Sequence, residues 1–98
     1  MFVRIVKMSF KPESITAFKT LFNANKNKIR HFEGCNFLEL YQDKNEAHIF
    51  FTYSYWNTDQ DLERYKQSPL FKTVWAETKL MFNDKPEAWS VNKLVSLP

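Results

Sequence analysis

The spacing of apolar residues changes along the chain, and each change marks an element. Residues 2–10 are apolar and rich in β-branched types (Phe2, Val3, Ile5, Val6, Met8, Phe10), which predicts a first strand. Lys11-Pro12-Glu13-Ser14 interrupts it and starts a helix, with proline suited to the first turn. From 13 to 32 the apolar positions Ile15, Phe18, Leu21, Phe22, Ile29 and Phe32 recur at the spacings of one helical face. Asn23, Lys26, Asn27 and Arg30 fall on the wet side. Glu33-Gly34 ends the helix, the only glycine standing where a left-handed cap residue is wanted.

Residues 35–42 and 47–56 read as two strands joined by the polar turn Asp43-Lys44-Asn45-Glu46, hence a hairpin. Asn57-Thr58-Asp59 supplies caps for a short helix from Asp59 to Gln67, carrying Leu62 and Tyr65. Ser68-Pro69 punctuates it. A further helix over 69–82 sets Phe71, Val74, Trp75, Thr78, Met81 and Phe82 along its inner face, and Asn83-Asp84-Lys85-Pro86 stops it. Residues 87–96, with Trp89, Val91, Leu94 and Val95, read as a fourth strand. The expected fold is a single α+β domain over 1–98 in the order β-α-β-β-α-β, the ferredoxin-like arrangement, with both helical regions on one face of an antiparallel sheet.

Such a sheet, wet on its other face, should alternate cleanly between apolar and polar residues. This one keeps rings on both sides. In strand three Ile49, Phe51, Tyr53 and Tyr55 oppose His48, Phe50, Thr52, Ser54 and Trp56, and in strand two Phe37 and Tyr41 oppose Leu38 and Leu40. At about 25 cal/mol per Å² and ~150–250 Å² per ring, leaving three or four rings wet forfeits on the order of 10 kcal/mol. A second copy of the same sheet is the simplest cover, since a two-fold interface is self-complementary. A homodimer through the sheet face is therefore expected.

Composition narrows the chemistry. Aromatics make up 17% of the 98 residues, so either the core is unusually rich in rings or some of them serve an interface or a pocket. One glycine excludes glycine-dependent phosphate loops. The net charge of +3 is spread out, and its densest run, Lys26, Lys28, Arg30 and His31, suits a solvated helix end. The single Cys35 allows no internal disulfide and no cysteine-rich metal site, which fits a reduced, cytoplasmic setting without a metal. No apolar run approaches the ~20 residues needed to span a membrane, and the N-terminus lacks the order of a signal peptide.

The stretch Trp56, Leu62, Tyr65, Ser68-Pro69, Phe71, Trp75, Phe82, followed by Pro86, Ala88 and Trp89, together with the element order, resembles the antibiotic biosynthesis monooxygenase superfamily, the dimeric α+β barrel proteins. The resemblance implies a face-to-face dimer of ferredoxin-like protomers, each with a pocket between helices and sheet. It includes cofactor-free monooxygenases acting on quinols and polyphenols, and haem-degrading enzymes. In the haem-degrading branch an axial His, an assisting Trp and a strand-one Asn are expected. Their positions here hold Trp75, Tyr65 and a residue near Val6, and indole cannot ligate iron. No cofactor is expected.

A cofactor-free oxygenase needs an apolar pocket for an electron-rich ring and a group that removes or stabilises a phenolic proton. Phe18, Phe22, Tyr65, Phe71, Trp75 and Phe82 can wall such a pocket, or can equally be plain core on inward helical faces. His48 and Tyr65 are the candidate catalytic groups. The His48 side chain shares a strand face with Phe50 and Trp56, and a hydrogen-bonded structural role competes with a catalytic one. His31 reads as a helix-end residue, Asp59 and Asp61 as first-turn acids, and Cys35 as a packing residue.

Three functions compete: a monooxygenase of small aromatic, quinol-like substrates; a non-catalytic dimeric module for a small apolar ligand or a protein; and an RNA-recognition motif, which shares the element order. Against the last, Ala47-His48-Ile49-Phe50 lacks the glycine of that motif's signature and the charge is modest, so no nucleic-acid partner is expected.

Overall fold

A computed structural model describes residues 1–98. Its strands are β1 (Phe2–Ser9), β2 (Cys35–Gln42), β3 (Ile49–Trp56) and β4 (Glu87–Val91), and its helices are α1 (Ile15–Arg30), α2 (Asp59–Gln67) and α3 (Pro69–Lys79), with a single 3₁₀ turn at Pro12–Ser14 leading into α1. The sheet order is β2-β3-β1-β4 and every pairing is antiparallel, so the fold is the ferredoxin-like α+β arrangement expected from the element order.

The register separates the two faces. Met8 lies opposite Phe50, Val6 opposite Thr52, Arg4 opposite Ser54 and Phe2 opposite Trp56, and all point towards the helices. The core divides there into two clusters. Met8, Phe10, Phe18 and Phe50 close one end, with the Phe10 and Phe18 rings stacked at 4.1 Å. Cys35, Trp56 and Leu62 close the other, packed against Phe32 and Tyr65. The buried Trp56 indole donates to Ser54 Oγ at 2.9 Å, which satisfies its one polar group.

On the opposite face Val3 and Ile5 of β1 meet Tyr55 and Tyr53 of β3, which meet Phe37 and Glu39 of β2 in turn, while Trp89 and Val91 of β4 flank Ile5 and Val3. No helix covers these rings, and they shield one another instead. Phe37 stacks on Tyr55 at 4.3 Å, Tyr41 meets Tyr53 edge-on at 5.1 Å, and the Lys93 ammonium sits 4.3 Å above the Tyr55 ring. The most open are Tyr41 (45% exposed), Trp89 (43%) and Val91 (38%), so this face is less wet than strand alternation alone suggests.

Several element ends differ from expectation. The first helix stops at Arg30, not 32, and Gly34 takes its left-handed φ of 89° in the turn to β2, where an added Cβ would collide with the Asp61 carboxyl group. Arg30 instead reaches forward, donating to the Cys35 carbonyl at 3.0 Å. α3 ends at Lys79 instead of 82, because Phe82 leaves the helix to bridge Phe10 and Asn83 N–H donates to the Ser9 carbonyl. β4 ends at Val91 and not 96: Val91 already pairs with Val3, and β1 offers no partner beyond Phe2. Strand three begins at Ile49, not 47.

Candidate functional site

Between the helices and the inner sheet face lies a cavity of about 220 Å³. An apolar cavity of about 150 Å³ accepts benzene, so this one has room for a larger planar ring system. Local sequence chemistry builds its wall. Ser68 caps α3, its Oγ accepting from Phe71 N–H at 3.1 Å, and the same hydroxyl donates back to the Tyr65 carbonyl at 2.6 Å. Pro69 sits in the first turn, where its missing N–H costs nothing. This Ser-Pro corner fixes the angle between α2 and α3 and brings Tyr65 against Phe71 edge-to-face at 5.1 Å. One turn along α3, Trp75 lies nearly parallel to Phe71, 5.7 Å away with 13° between the rings.

Five of the six residues expected to wall a pocket line this cavity: Phe18, Phe22, Tyr65, Phe71 and Trp75. Phe82 does not. It stands behind the wall, 5.6 Å from Trp75 and 5.3 Å from Phe10, and acts as a buttress because the helix that was to carry it ends three residues earlier. His48 is also outside. It precedes β3, its carbonyl accepts from Phe10 N–H at 2.9 Å, and its ring faces Glu46 at 3.7 Å. The Phe10–Phe50 packing separates that end of the sheet from the cavity.

The polar groups around the cavity are few. Of its Ser and Thr hydroxyls, Thr78 donates to the Val74 carbonyl at 2.7 Å and Ser54 accepts from Trp56, while Thr52 faces the cavity without a protein partner. Burial, with a smaller push from Cys35, drives the Tyr65 phenol well above its ordinary value; at neutral pH it is a hydrogen-bond donor and not a base. The charged residues in the lining are Arg4 and Lys66, and no carboxylate or imidazole joins them. Arg4, missed by the sequence reading, occupies an inward position of β1 and donates from Nη1 to Ser90 Oγ at 3.0 Å. Its parity with Phe2, Val6 and Met8 was the available signal: a cation among the inward-facing residues of a strand.

The family described as antibiotic biosynthesis monooxygenase matches residues 1–77. No curated protein is similar enough in sequence to match. Among solved structures, an antibiotic biosynthesis monooxygenase superposes with a TM-score of 0.91 at 17% identity, covering 97% of this chain and 100% of the other. A conserved protein from Methanosarcina mazei Go1 superposes at 0.87 with 22% identity over 95% and 93% of the two chains. Rv0793 from Mycobacterium tuberculosis does so at 0.88 with 15% identity over 99% and 98%. These likenesses are of fold.

Proposed function

The chain belongs to the antibiotic biosynthesis monooxygenase family, and from that premise we propose that it is a cofactor-independent monooxygenase of a small quinol- or polyphenol-like substrate, bound in the cavity between helices and sheet. The observation that carries this reading is the cavity itself. It is apolar, larger than a single benzene ring requires, and walled by parallel Phe71 and Trp75 rings that match the face of a planar aromatic. For a quinol the overall change balances as quinol plus dioxygen giving hydroxyquinone plus water. One oxygen atom enters the ring and the other leaves as water, and the substrate supplies the electrons. Such a reaction asks the protein to bind an electron-rich ring, exclude bulk water and favour the ionised phenol. Tyr65, held protonated by burial, can donate a hydrogen bond to a substrate oxygen.

The open sheet face gives the quaternary part of the proposal, a homodimer in which the Phe37, Tyr53 and Tyr55 surface of one protomer covers that of the other. The reading is tested by oxygen consumption and product analysis with a panel of naphthohydroquinones. Turnover above the spontaneous rate, abolished by Val74→Trp, which fills the cavity, is the expected result. The absence of a neutral-pH base among the lining residues favours one second reading, a non-catalytic dimeric module that binds the same ligands. Binding without oxygen consumption across the panel would establish it in place of the first.

A further inference from the structure

The cavity's charge is one-sided. Its lining holds Arg4 and Lys66 and no carboxylate, although carboxylates are common elsewhere in the chain. Lys66 is already paired with Glu63 at 2.9 Å. Arg4 is different. The ion pairs of the protein are His48 with Glu46, Arg64 with Asp61, and Lys66 with Glu63, and Arg4 takes part in none of them. It is half-buried on the inner sheet face, and its recorded side-chain partner is the neutral Ser90 hydroxyl. A guanidinium has five donors and no acceptor, so one Ser90 bond leaves the other donors open to solvent or a ligand. Removing a cation partly from water without an anionic partner is unfavourable, and an anion bound beside it would recover that cost through charge-assisted hydrogen bonds.

Resting on the cavity-binding reading above, we infer that Arg4 is the anion-holding residue of the site and that the ligand is a planar aromatic bearing one ionised oxygen substituent, a phenolate or a carboxylate. The rings stack on the Phe71 and Trp75 side while the charged oxygen meets the guanidinium at the sheet. For an oxidisable phenol this placement has a chemical consequence. A fixed cation stabilises the phenolate over the phenol, and the phenolate is the form that surrenders an electron to dioxygen more readily. Arg4 thereby favours the ionised form by electrostatics, the phenolic proton passing to solvent water as the ligand binds, so that no protein base is needed.

The test uses the full chain and two probes. Affinities for 2-naphthoate and for its neutral isostere 2-naphthamide are measured by quenching of tryptophan fluorescence. The carboxylate should bind about ten-fold or more tightly than the amide, and in Arg4→Met that preference should fall to about two-fold or less while the amide still binds. Amide binding also reports that the variant is folded. The second probe, 4-nitrophenol, reports its own ionisation by absorbance. A bound dye more ionised than free dye at the same pH, in wild type but not in Arg4→Met, identifies a phenolate as an accepted ligand; a naphthoate preference without that change identifies a carboxylate. Equal affinity for naphthoate and naphthamide would overturn the inference while leaving the aromatic cavity reading intact. A preference that survives in Arg4→Met would overturn the assignment to Arg4. Failure of both naphthyl probes to bind would overturn this inference and the cavity reading together.

Discussion

On the helix-covered face of the sheet, Phe10, Phe18 and Phe50 are buried with ring centroids 4.1, 5.6 and 5.2 Å apart. On the opposite face Phe37, Tyr41, Tyr53 and Tyr55 pack in pairs against one another, and Tyr41 and Trp89 remain exposed. Both faces are rich in rings, but the rings meet different surroundings. The helices close the covered face at its two ends and leave a cavity between, where Trp75, Phe71 and Tyr65 form a wall instead of a filled core. The open face has no helix, and its rings reduce their exposure by stacking without removing it. An aromatic residue on a strand therefore says little by itself; what lies over it decides whether it is core, pocket wall or seam.

The sharpest way to break this contrast is to place a charge at the centre of the open face. Tyr53 stands between Ile5 and Glu39. In Tyr53→Glu a dimer would have to bury an unpaired carboxylate beside another acid, a cost of about 3–5 kcal/mol and so a weakening of association by roughly a hundred- to a few-thousand-fold. Light scattering should give the monomer mass, with far-UV circular dichroism unchanged because Tyr53 is not buried in the protomer. A variant that stays dimeric would contradict the proposal that the open face is the seam. On the covered face the corresponding change is Phe18→Ala, which empties a site 3% exposed and packed on three neighbouring rings. It should cost about 3–5 kcal/mol in urea unfolding, compared with wild type at equal protein concentration because any dimer adds to stability.

A smaller effect separates pocket wall from solvent. The raised value of the Tyr65 phenol, caused first by burial, means the folded state keeps a proton that the unfolded chain releases above about pH 10. Its contribution to stability is present below that pH and is lost as pH rises through the higher folded value. Tyr65→Phe has no proton to release, so its stability should fall less steeply with alkali than that of wild type. Buried Cys35, also raised chiefly by burial, contributes to the same limb in both proteins, so Tyr65→Phe flattens that limb without abolishing it. Parallel alkaline limbs would show that Tyr65 meets water in the folded state.

Much of this was legible in the sequence. Alternation assigned Phe50 and Trp56 to one face and Tyr53 and Tyr55 to the other, and antiparallel pairing preserves that parity across the sheet. Helical spacing found Phe18, Phe22, Phe71 and Trp75 because burial repeats with the helix turn. What failed were positions set by long-range partners. Phe82 continues the helical spacing, yet its bridge to Phe10 draws it out of register, and nothing local announces that bridge. β4 ends where β1 ends, which a reading of residues 87–96 alone does not contain. His48 has the right parity but lies beyond the aromatic closure of the core. Arg4 was passed over because a charge on a strand is ordinarily read as solvated, and only the register showed that it points beneath the helices.

The division of labour between the faces is tested most directly by methyl-resolved NMR of selectively labelled protein titrated with 2-naphthoate. Shifts should concentrate at cavity-lining Val6, Met8, Leu38, Leu62 and Val74, with Val3, Ile5, Ile49 and Val91 of the open face unchanged. Shifts confined to the open-face methyls, with the cavity methyls silent, would contradict that division.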